Sequence, residues 1–212
     1  MNTTPAQASQ REPAYRIGLT GNIATGKTTV GKMLVALGAE LIDADRVTHE
    51  VIAPGGAAYD IVVATFGTRI LDREGRIDRP KLGSIVFQDP DALALLEDLI
   101  HPRVISEVGR RMAESESSVV VVEAIKLLES GMADDYDAIW VTTCPMEMQL
   151  ARLMEHRGLS RDAAMQRIEA QPPQAEKIAQ ADLVIDTSGS LEETRKQVIG
   201  AWHELSLPHR GS

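Results

Sequence analysis

The sequence is poor in several things, and each shortage excludes a class of protein. A single cysteine, Cys144, rules out an internal disulfide framework and any cysteine-cluster zinc site. Aromatic residues make up only 3%, so neither a base-stacking surface nor a carbohydrate platform is suggested. No run approaches the ~20 apolar residues that span a bilayer. The most notable one, Val119 to Val122, has the length of a strand. The first fifteen residues are polar and lack the apolar stretch of a secretory signal. Basic residues are outnumbered, 22 Lys or Arg against 31 acidic, for a net charge of -9. A non-specific nucleic-acid binder needs the opposite balance to displace counterions. The five histidines show no metal-ligand spacing. What is left is a soluble chain, expected in the cytoplasm, with no membrane or nucleic-acid polymer as partner and a monomer favoured.

The chain has 212 residues, 43% hydrophobic and 25% charged, enough for one domain with a buried core. Residues 1–14 read as a disordered leader and 207–212 as a polar tail. Between them, at 15–206, strand and helix patterns alternate. Tyr15 to Thr20 is a short strand. Lys27 to Leu37 places Val30, Met33, Leu34 and Leu37 on one helical face, and Gly38 ends that helix. Glu40 to Asp43 is a second strand. Residues 45 to about 113 look mostly helical, with Asp89 and Pro90 opening one of the helices. The Val119–Val122 run, Ala138–Thr142 and Ala181–Asp186 supply three more strands. Helices follow at about 145–156, 161–170 and 192–205. Such alternation implies an α/β fold: a five-stranded parallel sheet flanked by helices. The helical stretch between the second and third strands is an insertion.

The strongest local signal is Gly21-Asn22-Ile23-Ala24-Thr25-Gly26-Lys27-Thr28, which fits G-x-x-x-x-G-K-[ST] at every fixed position. A strand precedes it and a helix opens from it, as a phosphate loop requires. Glycines let the backbone wrap a polyphosphate, inward N–H groups hold it, and the helix N-terminus adds partial positive charge. Lys27 is placed against the β- and γ-phosphates, and the Thr28 hydroxyl is a ligand for Mg²⁺. The loop, through Thr29, therefore predicts binding of ATP or GTP with Mg²⁺.

The loop alone does not separate kinases, GTPase switches and motor ATPases. A switch needs a guanine-reading N-K-x-D, which is absent. Asp72-Arg73-Glu74-Gly75 fits the D-x-x-G of switches but reads as a turn. A motor ATPase is usually larger and carries an acidic Walker B residue, for which Glu123 is the candidate. A small-molecule kinase needs a base for the acceptor hydroxyl and lid arginines. Asp43-Ala44-Asp45, at the carboxyl end of the second strand, offers the base. The same carboxylates could instead cap the next helix, and spacing leaves both roles open. The segment of about 149–172, with Arg152, Arg157, Arg161 and Arg167, offers a lid that clamps the phosphoryl group. It also reads as a solvated face balanced by Glu155, Asp162 and Glu169.

Taken together, these pieces resemble the dephospho-CoA kinase family. The resemblance runs from residue 16 to about 200. It rests on Ile17-Gly18-Leu19-Thr20-Gly21 with the phosphate loop, Leu41-Ile42-Asp43-Ala44-Asp45, Asp78-Arg79-x-x-Leu82 and His101-Pro102. Further on it includes Leu127-Leu128-Glu129, Gln149…Arg152-Leu153…Arg157, Arg167-Ile168…Gln171 and Ala181-Asp182-Leu183-Val184-Ile185-Asp186. It implies a P-loop kinase fold, with an inserted acceptor-binding region at about 46–115 and a lid. It implies transfer of the ATP γ-phosphoryl group to the 3′-hydroxyl of dephospho-CoA, the last step of coenzyme A synthesis. By position it assigns Asp45 as catalytic base and Arg152 as the lid arginine on the nucleotide phosphates. The phosphate cradle it implies is Gly21, Asn22, Ala24, Thr25, Gly26, Lys27, Thr28 and Thr29. Arg79 and His101 fall in the acceptor-binding region, although a His before Pro can also fill a helix junction.

The sequence departs from the family pattern in places. Asn22 and Ala24 stand where the family usually has glycine, which demands less permissive backbone angles. Lys126 replaces an apolar residue after the valine run, either adding a phosphate contact or pointing to solvent. Asp186-Thr187-Ser188-Gly189 replaces the usual Asp-Asn-x-Gly near the adenine. Another metabolite kinase of the same fold, or a nucleotide-binding regulator without turnover, remains the alternative. Cys144, Trp140, Trp202, Met146, Met148 and Met154 are expected to be packing residues.

Overall fold

The structure is a computed structural model and describes residues 14–205. The predicted tail and all but the last residue of the predicted leader lie outside the described residues. The strands are β1 (Tyr15–Thr20), β2 (Glu40–Asp43), β3 (Val119–Glu123), β4 (Ala138–Thr143) and β5 (Leu183–Asp186). They form one parallel sheet in the order β2-β3-β1-β4-β5. Helix α1 (Lys27–Ala36) joins β1 to β2. Four helices lie between β2 and β3: α2 (Ala44–Val51), α3 (Tyr59–Phe66), α4 (Arg79–Val86) and α5 (Pro90–Glu114). After β4 come α6 (Met146–Arg157), α7 (Arg161–Glu169) and α8 (Gln174–Ile178), and α9 (Leu191–Glu204) follows β5. Apart from shifts of a residue at element ends, the departures from the expected elements are the short α8, the 3-10 turns Thr68–Ile70 and Ala133–Asp135, and the start of β5 at Leu183 rather than Ala181. Five residues make too short a window for helical periodicity to register.

The four-valine run shows why the sheet needs layers on both faces. Val120 and Val122 pack with Val47, Val62 and Val108 of the inserted helices. Val119 and Val121 pack with Val30 and Leu34 of α1 and Val198 of α9. Side chains of a strand alternate between faces, so an unbroken apolar run must be covered twice. All four valines are fully buried, and each contributes about 1.5–3 kcal/mol of burial. Trp140 is also core, and Trp202 packs at its edge.

Local signals in the chain set the helix starts. Asp89 Oδ1 accepts from the amides of Asp91 and Ala92, with Pro90 in the first turn, as expected. Asp78 caps α4 by accepting from the Lys81 amide. The Asp72–Gly75 segment is a turn, with Asp72 Oδ1 accepting from the amides of Glu74 and Arg76. The D-x-x-G match is therefore ordinary turn chemistry. Gly21 is required by close approach, since a Cβ there would lie 2.5 Å from the Thr142 carbonyl oxygen.

Candidate active site

The sheet order gathers the site. β1 is central, so the phosphate loop leaves the middle of the sheet. The register pairs Leu19 of β1 and Asp43 of β2 with Glu123 of β3. The acidic ends of β2 and β3 thus stand side by side next to the loop, at the carboxyl edge where α/β folds bind ligands.

A cavity of about 600 Å³ opens there. Lys27, Thr28, Asp45, Glu123, Arg152 and Arg157 all line it. Of the other predicted loop residues, Ala24, Gly26 and Thr29 also line it, whereas Gly21, Asn22 and Thr25 do not. Thr25 is fully buried, and its hydroxyl bonds to the Asn22 carbonyl and to Thr142 Oγ1, both at 2.8 Å. Asn22 turns toward the α7–α8 connection: its Nδ2 donates to the Pro172 carbonyl at 3.0 Å.

Lys27 is buried, with Nζ donating to the carbonyls of Gly21 at 2.7 Å and Asn22 at 3.0 Å. Burial pushes its pKa down to about 8, against the opposing pull of Glu123 and Asp45. The Thr28 hydroxyl donates to Glu123 Oε1 at 2.8 Å. Burial raises the Glu123 pKa, with the Thr28 hydrogen bond and Lys27 working against it. The two aspartates after β2 divide their work. Asp43 is the N-cap of α2, accepting from the Arg46 amide at 3.0 Å. Both carboxylates line the cavity, but Asp45, in the first turn of α2, has no part in that cap. Burial raises the Asp45 pKa and the nearby Asp43 adds to it, while Lys27 pulls the other way.

Arg152 of α6 is held as a fork. Its Nη1 donates to the Ala24 carbonyl and to Thr187 Oγ1, each at 3.1 Å, and its Nη2 to the Thr187 carbonyl at 2.6 Å. Cys144 is buried beside it, with Sγ accepting from Arg152 Nη1 at 3.5 Å. Ala24 has φ +59°, among the described residues the one non-glycine with positive φ. Ile23 packs into the apolar contact of α6 with α7, beside Leu150, Leu153, Ala164 and Ile168.

A second cavity, of about 740 Å³, lies among the inserted helices and the α7–α8 connection. Ile125 lines both cavities. His101 lines the second one and approaches the Ser130 carbonyl at 3.3 Å through Nε2. Arg79 is the exposed first residue of α4 and lines neither. Lys126 sits at the rim of the second cavity, paired with Glu97 at 2.7 Å.

Sequence reasoning named Glu123 only for a rival reading, because its nearness to Thr28 depends on strand register. Lys177 and Gln174 went unnamed, and no local pattern marks them. Among the described residues no helix is long and apolar enough to cross a membrane, and no three His, Cys, Asp or Glu side chains cluster as metal ligands.

A parallel sheet in this strand order, with a phosphate loop beside a carboxylate and an anchored arginine, defines a P-loop kinase. The dephospho-CoA kinase family model matches residues 15–193, and the chain belongs to that family. A dephospho-CoA kinase from Carboxydothermus hydrogenoformans is 47% identical over 186 residues, covering 86% of this chain and 90% of that relative. Among solved structures, TT1252 from Thermus thermophilus superposes with a TM-score of 0.82 at 30% identity, covering 92% of this chain and 100% of that one. A dephospho-CoA kinase from Campylobacter jejuni gives 0.68 at 28% identity, covering 90% and 96%.

Proposed function

We propose that the protein transfers the γ-phosphoryl group of ATP to the 3′-hydroxyl of dephospho-CoA, yielding ADP and CoA. The observation that carries this reading is the placement of the Asp45 carboxylate in one cavity with Lys27 and the phosphate loop. Family membership supports the identity of the acceptor.

The ATP triphosphate rests on the loop and on the first amides of α1, which lack helical acceptors. Lys27 leaves the Gly21 and Asn22 carbonyls to meet the β- and γ-phosphates. The fork on the Ala24 and Thr187 oxygens holds Arg152 at the cavity wall, where its charge faces the nucleotide phosphates. The second cavity, walled by the inserted helices, receives the rest of the acceptor and brings its ribose toward Asp45.

Asp45 accepts the proton of the 3′-hydroxyl as that oxygen bonds to the γ-phosphorus. The bond from the γ-phosphorus to the bridging oxygen breaks, and ADP leaves with its electron pair. No covalent enzyme intermediate is needed. Burial and Asp43 already raise the proton affinity of Asp45, which suits a base.

The oxygens of Thr28 and Glu123 fit Mg²⁺, which takes one or two carboxylates and completes its shell with phosphates and water. When bound, the ion neutralises charge on the β- and γ-phosphates.

Consumption of ATP supports a cytoplasmic location. The test is to incubate the protein with ATP, Mg²⁺ and dephospho-CoA and to locate the new phosphate by NMR. A 3′-phosphate is expected; no product, or phosphate elsewhere, contradicts the reading.

A further inference from the structure

The turn between α7 and α8, with the first residue of α8, holds the leading edge of the phosphate loop through a set of side-chain bonds. Gln171 Oε1 accepts from the Ile23 amide at 2.6 Å. Gln174 Oε1 accepts from the Asn22 amide at 3.3 Å, and its Nε2 donates to the Thr142 carbonyl at 2.9 Å. Asn22 Nδ2 adds the bond to the Pro172 carbonyl. The far end of the segment is pinned by Lys177, only 3% exposed, whose Nζ donates to the Ile125 carbonyl at 2.7 Å and to Glu129 Oε1 at 2.6 Å.

These bonds span two cavities. Gln171, Pro172 and Lys177 line the cavity among the inserted helices, and Ile23 lines the nucleotide cavity. The hydrogen bond from the Ile23 amide to Gln171 therefore joins a wall of one to a wall of the other on the phosphate-loop side, while Ile125, bonded to Lys177, lines both cavities. Gln174 lines neither.

We propose that Gln171 is a positioning residue that couples the two cavities. An acceptor in the second cavity fixes the Gln171 side chain, which fixes the Ile23 amide and so the backbone that receives the ATP phosphates. This rests on the proposed function, since dephospho-CoA is taken as the occupant. By linkage, each ligand then tightens the other by the same factor.

The experiment measures the dissociation constant of a non-hydrolysable ATP analogue with and without saturating dephospho-CoA. In the wild type, the acceptor should tighten the analogue at least about fivefold. Gln171→Met keeps length and apolar bulk but cannot accept from Ile23. Its ratio should fall to about one, and KM for ATP should rise about fivefold while kcat changes less. Gln174→Met should weaken the analogue equally with and without acceptor, leaving the ratio intact. A wild-type ratio of one, or an undiminished ratio in a folded Gln171→Met, overturns the proposal.

If Gln171→Met does not fold, hydrogen exchange in the wild type decides. Dephospho-CoA alone should slow exchange in the peptide that carries the Asn22 and Ile23 amides, and unchanged exchange overturns the proposal. ADP release by the wild type is measured first. If dephospho-CoA drives no release, the kinase reading fails. If release occurs but the ratio survives in Gln171→Met, only the coupling fails.

Discussion

Thr28 and Glu123 meet at 2.8 Å, the hydroxyl donating to the carboxylate, so the first turn of α1 is tied to the carboxyl end of β3. The pair places one neutral and one anionic oxygen where the loop opens into the cavity. Glu123→Gln keeps the shape and removes the charge. We expect the Mg²⁺ concentration for half-maximal turnover to rise about 10- to 100-fold, by analogy with the loss of groups that orient metal ligands. A Mg²⁺ titration checks this, and an unchanged half-maximal concentration would exclude Glu123 from the metal site.

Asp45→Asn tests the base. Turnover should fall by roughly two to four orders of magnitude, with affinity for ATP nearly unchanged. Stability should move the other way. Burial and Asp43 raise the Asp45 pKa, so at neutral pH the folded state bears a charge it disfavours. The variant should therefore melt at a higher temperature. Turnover close to that of the wild type would remove the assignment.

The buried amine of Lys27 makes ATP binding depend on alkaline pH. Its pKa is pushed down to about 8, so the free protein loses this charge as pH rises through that value. The triphosphate favours the charged form. Binding above pH 8 should therefore take up a proton, and affinity should fall by about tenfold per pH unit. Calorimetry at pH 8.5, in buffers of different ionisation enthalpy, reads the proton directly. Zero uptake would contradict the assigned environment of Lys27.

Ala24 is held at φ +59°. The left-handed region costs an alanine about 1–2 kcal/mol, while glycine loses about 0.5–1 kcal/mol through its freer unfolded chain. Ala24→Gly should thus leave stability unchanged or raise it by up to about 1.5 kcal/mol. Ala94→Gly, at an exposed position inside α5, should lose about 1 kcal/mol. Denaturant melts of the two variants make the comparison, and equal losses would mean that Ala24 is not strained.

Legibility from sequence followed the range of the interaction. The phosphate loop, the valine strand and the Asp89–Pro90 start of α5 are written in residues a few positions apart, and each lies where it was expected. The choice between Asp43 and Asp45 was not legible, because a cap and a base call for the same side chain. Both line the cavity, and the cap bond tells them apart: Asp43 accepts from the Arg46 amide, whereas Asp45 is left out of the cap. Glu123 depends on strand register, since it lies 95 positions along the chain from Thr28. The link from Gln171 to Ile23 spans 148 residues, and no local periodicity encodes it. Lys126 showed only as a departure from a pattern until its pairing with Glu97 was seen. Arg79 was matched by position alone, and it stands outside both cavities.

The central claim is that this kinase acts on dephospho-CoA, and acceptor preference tests it most directly. ADP release should be measured with dephospho-CoA and with a panel of nucleosides, nucleotides and sugars at fixed ATP and Mg²⁺. We predict that kcat/KM for dephospho-CoA exceeds that of every other acceptor by at least about 100-fold. An equal or higher value for any other acceptor, or release that no acceptor stimulates, would contradict the account.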